Sequence, residues 1–187
     1  MLIPEEMLYG YSIGVFPMAH PGEDNALYWY EPELRGIVPL HQLKVSKSLK
    51  QTINTGKFKV TINQDFEGTI RACADRDDTW ISEEIIQCFL QLHELGYGYS
   101  FETRNNQNEL VGGLYGVAMG KAFFGESMFH KERDASKVAL VELVYWLRRN
   151  NFMLLDTQYI TPHLQTMGAV EITQKEYLLL LEKALQA

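Results

Sequence analysis

Apolar residues recur along this chain with a period that changes from helical to extended and back, and each change predicts a new element. Residues 4–11 predict a short helix, ended by the turn region of Gly14 and Pro17. The aromatic stretch that follows predicts a short strand at Tyr28, Trp29 and Tyr30, set between turn residues. Residues 46–54 predict a short helix carrying lysines, and the alternation of FKVTIN (58–63) predicts a strand. Two helices are expected next, over 65–74 and 82–95. For the second, Ser82 is a natural N-cap, Glu83 and Glu84 suit the positive end of the helix dipole, and Gly96 supplies the stop. Its buried face is Ile85, Phe89 and Leu92.

From residue 98 the period drops to two. YSFETR, ELVGGLYGVAMG and KAFFGESMFH predict three consecutive strands with turns at Asn105 to Asn108 and at Gly120, an antiparallel meander. Gly112, Gly113 and Gly116 in the middle strand predict bulges or the close approach of a ligand. They lack the strand-to-helix context of a phosphate-cradling loop, so no nucleotide fingerprint is read there. Asp134 is placed to cap a long helix over 135–149, whose Leu140, Leu143, Val144 and Leu147 repeat at core spacing. The strand FMLLD (152–156), a short helix from Pro162 and an amphipathic helix from about Thr173 complete the chain. A meander followed by helix, strand and helix predicts an α+β domain with a mixed, largely antiparallel sheet.

Composition narrows this picture. The 187 residues are 46% hydrophobic and 22% charged, ordinary for a soluble globular chain with one core or one core plus a small annex. No apolar run approaches the roughly 20 residues of a membrane span, and no positively charged leader opens the sequence, so a cytoplasmic protein is expected. Cys73 and Cys88 fall on predicted amphipathic helices and read as reduced, half-buried thiols. His93 follows Cys88 at helical spacing without further ligands, so no metal is expected. The net charge of −7 hides an asymmetry: residues 41–60 hold Lys44, Lys47, Lys50, Lys57 and Lys59 with no acid. That stretch is either a solvated helix surface or a face that attracts a polyanion.

Two acids sit inside apolar runs, Glu126 in FFGESMF (123–129) and Asp156 in FMLLDTQ (152–158). A carboxylate held away from water costs several kcal/mol unless partners stabilise it, so each either pairs locally or marks a site. In an extended strand Gln158 shares a face with Asp156. Trp80, in the polar loop DRDDTWIS, either packs as a lid or offers a stacking platform, and the YWY triplet either lines a cleft or packs the N-terminal part onto the body. No Ser-His or Cys-His arrangement suggests a covalent intermediate.

Taken in order, YWYEP, DDTWIS, LHELGYGYS, ELVGGLYGV, FFGESMF, DASKVAL and LLDTQY closely resemble the bacterial leucyl/phenylalanyl-tRNA protein transferases across nearly the whole chain. The resemblance implies a GNAT-like acyltransferase domain over 41–187, preceded by a small N-terminal domain over 1–40 that lacks an upstream stretch usual in that family. It implies a cytoplasmic enzyme, acting as a monomer, that moves Leu or Phe, and possibly Met as well, from aminoacyl-tRNA to the N-terminal Arg or Lys of acceptor proteins and so marks them for N-degron proteolysis. No cofactor is implied, because HKERDASK (130–137) stands where coenzyme A enzymes of that fold carry a glycine-rich loop. By match to the family, Asp156, Gln158 and Glu126 are the catalytic residues. Gln158 is expected to orient the amine, Asp156 to polarise Gln158 or accept the proton, and Glu126 to bind a cationic group. Leu114, Phe123, Leu143 and Leu155 match the side-chain pocket, Trp29 and Trp80 the positions near the 3′ adenosine, and the five lysines are expected to follow the tRNA backbone. A GNAT-like enzyme with another acyl donor and a silent tRNA-end binding module are the alternatives.

Overall fold

The computed structural model describes all of residues 1–187. Its elements are α1 (Pro4–Ile13), β1 (Phe16–His20), β2 (Ala26–Tyr30), β3 (Leu34–Ile37), α2 (Lys47–Asn54), β4 (Lys59–Ile62), α3 (Phe66–Ala74), α4 (Glu83–Glu94), β5 (Gly98–Arg104), β6 (Leu110–Met119), β7 (Ala122–His130), α5 (Ala135–Arg149), β8 (Leu154–Gln158), α6 (Pro162–Thr166), β9 (Val170–Thr173) and α7 (Gln174–Gln186). Polar side chains start most of the helices. Ser46, Asp65, Ser82, Thr161 and Thr173 each accept a first-turn backbone N–H of α2, α3, α4, α6 and α7. Asp134, expected to do the same for α5, does not: its backbone is left-handed, and its carboxylate accepts from Thr52 at 3.4 Å instead.

Seven strands form one sheet in the order β4-β5-β6-β7-β8-β3-β9. The expected meander is β5, β6 and β7, and β8 joins it parallel to β7 after the α5 crossover. All other neighbours in this sheet are antiparallel. β1 and β2 form a separate hairpin. Residues 34–37, grouped with the N-terminal part by sequence, pair with β8 and β9 inside the large sheet as β3. β8 begins and ends two residues later than expected, because Phe152 and Met153 belong to the turn that leaves α5.

Neighbouring residues on each strand enter opposite cores, as the two-residue repeat requires. Tyr115, Val117, Phe124 and Leu154 pack with Met7 of α1, Ile70 of α3, Phe89 of α4 and Leu181 of α7. Leu114, Phe123 and Leu155 pack on the other face against Leu49 of α2, Leu140, Leu143 and Leu147 of α5, and Leu164 of α6. Cys73 and Cys88 are free and fully buried in the first core, where burial pushes each thiol up to about 12. His93 is occupied by the fold: it stacks on Phe66 and bonds the Gly98 carbonyl at 2.8 Å.

The glycines of β6 are explained by the chain itself rather than by a ligand. A Cβ on Gly112 would lie 2.5 Å from the Ala135 methyl, and one on Gly116 would collide with the Phe124 carbonyl and the Phe123 ring. Beside Gly116 the register slips. Tyr115 faces Ser127 while Gly116 faces Gly125, so Glu126 is the extra residue of a β-bulge. The bulge explains why Phe124 and Phe129, an odd number of positions apart, reach the same core. Gly116→Ala is expected to destabilise the fold by about 1–3 kcal/mol through forced backbone displacement, read as a lower urea midpoint.

Candidate active site

Both expected acids and Gln158 meet where β7, β8 and β3 run side by side, and their environments differ sharply. Asp156 is fully buried and saturated with donors. Arg35 of β3 binds it with a two-pronged fork, Nε to Oδ1 at 3.0 Å and Nη2 to Oδ2 at 2.7 Å. Tyr177 of α7 donates to Oδ2 at 2.8 Å, and the backbone N–H of Gln158 donates to Oδ1 at 2.7 Å. Arg35 is only 2% exposed and directs Nη1 to the Gly14 carbonyl at 2.7 Å, with Phe16 and Tyr177 rings above its plane. An ion pair this dry is tolerated only when such partners replace the lost water.

Gln158 does not continue the strand in extended form as expected. Its φ is +65°, a left-handed turn that an L residue adopts only when its surroundings hold it there. The bond from its N–H to Asp156 supplies that hold. The turn directs the side chain to Glu126, whose Oε1 accepts from Gln158 Nε2 at 2.9 Å. Gln158 Oε1 takes no hydrogen bond within the protein.

Glu126 reaches this point because the bulge swings it out of the strand's alternation. Its Oε1 also accepts a short hydrogen bond from Tyr11 of α1, and its Oε2 is free. Burial pushes this carboxyl from 4.5 up to about 8, with the neighbouring Asp156 charge adding to the rise and the Tyr11 and Gln158 donors opposing it. Burial, then Glu126, lifts the Tyr11 hydroxyl well above its usual range, so it remains a donor.

Glu126 and Gln158 form the polar end of a cleft of about 760 Å³. Leu114, Leu143 and Leu155 line it as expected, together with Leu140, Met128 and Leu164, and Trp80 forms part of the wall near Met18 and Arg76. Phe123 is fully buried in the adjoining core and backs this wall without facing the space. Trp29 does not line the cleft. It is 43% exposed on β2 and covers Gly10 of α1, where an added Cβ would strike its ring. The five lysines are exposed and lie outside the cleft lining, with Lys57 pairing to Glu132 at 3.7 Å.

Sequence reasoning missed Arg35, Tyr11 and Tyr177. Arg35 carried one signal, being the sole Lys or Arg in the first 43 residues, inside the apolar-flanked run LRGIV. Tyr11 and Tyr177 look like ordinary core aromatics in sequence, and their hydroxyls find the acids only through tertiary packing.

Two outcomes test this arrangement. Arg35→Met leaves Asp156 buried and unpaired, with an expected loss of about 3–5 kcal/mol in urea unfolding; adding Asp156→Leu restores most of it. Because folded Glu126 binds its proton more tightly than the unfolded chain, it lowers stability as pH rises from about 4.5 to about 8, after which its effect levels off. Glu126→Gln is expected to make the fall in urea midpoint across that window shallower.

Comparison with known sequences gives the family. A family model for the leucyl/phenylalanyl-tRNA protein transferase matches residues 37–182, and one for the N-terminal domain of the same transferase matches residues 1–33. The leucyl/phenylalanyl-tRNA protein transferase of Rubrobacter xylanophilus is 52% identical over 99% of this chain and 96% of its own length. That of Rhodopseudomonas palustris strain HaA2 is 48% identical over 99% of this chain and 84% of its own. Among solved structures, the L-PGS of Bacillus licheniformis matches with a TM-score of 0.48 at 11% identity, covering 86% of this chain and 55% of that one. A GNAT-family acetyltransferase of Staphylococcus aureus Mu50 matches with a TM-score of 0.41 at 16% identity, covering 52% and 71%. With both family models matched in order and relatives aligned over almost its full length, the chain belongs to the leucyl/phenylalanyl-tRNA protein transferase family and is an aminoacyltransferase.

Proposed function

We propose that this enzyme transfers Leu or Phe, and Met less well, from aminoacyl-tRNA to the N-terminal Arg or Lys of acceptor proteins, feeding a cytoplasmic N-degron route. One observation carries the reading: an apolar cleft ends on two unbonded acceptors, Glu126 Oε2 and Gln158 Oε1. Aminolysis of an ester needs an amine freed of its proton and held about 3–3.5 Å from the carbonyl carbon. Gln158 Oε1 accepts a hydrogen bond from the attacking α-amine and fixes its direction. Glu126 Oε2 takes the proton from the ammonium form. A carboxyl at about 8 is matched to an α-ammonium of about 7.7–8, so that transfer costs little free energy.

The amine nitrogen then bonds to the carbonyl carbon, the tetrahedral centre collapses, and the ester C–O bond breaks. Glu126 returns the first proton to the departing ribose oxygen, then takes the second proton that the nitrogen sheds on becoming an amide and releases it to solvent. Asp156, which already accepts four hydrogen bonds, positions Gln158 and takes no proton. Of the two roles expected for Asp156 from sequence, this division keeps the action on Gln158 and drops that of proton acceptor.

Leu114, Leu140, Leu143 and Leu155 receive the transferred side chain. An apolar wall discriminates by only about 1–3 kcal/mol per methylene, which suits a site accepting both Leu and Phe. Trp80 stacks on the 3′ adenosine, and the exposed lysines of 44–59 follow the acceptor-stem phosphates.

Incubation with leucyl-tRNA and an Arg-initiated peptide is expected to yield the Leu-Arg peptide, detected by mass; an inert wild type would refute the reading. Gln158→Ala is expected to lower kcat by about 100-fold or more while donor affinity changes little, since orientation acts on the chemical step. Loss of affinity with kcat preserved would reassign Gln158 to recognition.

A further inference from the structure

The N-terminus of α5 opens on the same cleft and is not used by the reaction described above. Among the first N–H groups of this 15-residue helix, that of Ala135 bonds the Glu132 carbonyl and that of Val138 bonds the Asp134 carbonyl. Those of Ser136 and Lys137 have no acceptor, because Asp134 has turned its side chain to Thr52. Ser136 lines the cleft, is only 2% exposed, and its hydroxyl bonds to no group of the protein. A hydroxyl on a side chain this enclosed, without a protein partner at the wall of the cleft and beside two open backbone donors, is an arrangement completed by an acceptor from outside.

The surrounding charge selects an anion. His130, Lys131 and His163 line this end of the cleft, and Lys137 stands close enough to His163 that, after burial, its ammonium and then His130 push that imidazole down. The nearby acids are engaged elsewhere. Glu132 pairs with Lys57 at 3.7 Å and accepts from Asn105 at 3.1 Å, and Asp134 faces Thr52. Those same contacts join the α5 N-terminus to α2 and the lysine-bearing segment outside the cleft.

We infer that the α5 N-terminus, through the Ser136 hydroxyl, the N–H groups of Ser136 and Lys137 and the Lys137 charge, holds a phosphodiester of the donor RNA's 3′ end. The inference rests on the RNA-dependent reading above and adds to it a phosphate anchor inside the cleft. Helix N-termini favour phosphates because open N–H groups and the positive dipole end act together. An anchor here fixes the strand after it leaves the lysine face and before its terminal ester reaches Glu126 and Gln158.

The test is equilibrium binding of cytidylyl-adenosine against its neutral methylphosphonate-linked analogue, which keeps both bases and removes the charge. Wild type is expected to prefer the charged dinucleotide by about tenfold, the size of one charge-assisted hydrogen bond network. Ser136→Asp puts a carboxylate at a helix position that favours it and is expected to abolish the preference. Lys137→Gln, a milder surface change, is expected to reduce it. Inorganic phosphate should compete with the charged dinucleotide only, and at far higher concentration. Equal affinity of wild type for the two dinucleotides would overturn the inference, as would an equal loss for both in the variants. Binding requires no turnover, so a chain inert in the transfer assay can still pass this test, and an active one can fail it.

Discussion

The Arg35–Asp156 pair is the contact on which the rest of the site depends. Taking both ions out of water costs several kcal/mol each, and here that cost is offset by a bidentate fork, a tyrosine, a backbone N–H and a carbonyl. The partners come from distant parts of the chain: Gly14 at the end of α1, Arg35 on β3, Asp156 and Gln158 on β8, Tyr177 on α7. One carboxylate therefore ties the N-terminal segment, the sheet and the last helix together. It also sets the backbone at Gln158, whose left-handed φ would relax without the bond to Asp156. The reactive end of the cleft inherits its geometry from a pair that never faces substrate.

That dependence explains why two carboxylates of similar type, close together, take different roles. Asp156 is paired with a cation and has no lone pair to spare. Glu126 has no cation in contact, one free oxygen, and a proton affinity raised mainly by burial. The neighbouring Asp156 charge adds to that rise, so one acid helps make the other a proton carrier near neutral pH. Tyr11 and Gln158 hold Glu126 in place without neutralising it.

Most of the scaffold was legible in sequence because its signals are local. Ser82, the run Ile85, Phe89, Leu92 and the stop at Gly96 define α4 within fifteen residues, and the turn at Asn105 to Asn108 defines the β5–β6 hairpin. β3 and β9 have four residues each, too few for a period, and exist because β8 offers an edge to β3 and β3 in turn offers one to β9. Asp134 looks like a cap in sequence, yet Thr52 competes for its carboxylate across 82 positions of chain. The acids and Gln158 stood out because they interrupt apolar runs. Arg35, Tyr11 and Tyr177 did not, because a buried partner is defined by what it meets after folding. Trp29 shows the converse, an aromatic whose neighbour turned out to be Gly10 rather than the cleft.

The bulge at Glu126 links these observations. Glu126 lies two residues beyond Phe124, beside the same core, where Tyr11, stacked on the Phe124 ring, and Gln158 donate to its carboxylate. It is the extra residue beside Gly116 and lines the cleft, and Gly116 is required because a side chain there would occupy the space of Phe124 and Phe123. The glycine-rich middle strand therefore serves the chemistry indirectly. It contacts no ligand in the proposed reaction, but it permits the distortion that brings Glu126 to Gln158, and the Arg35–Asp156 pair then fixes Gln158 to meet it.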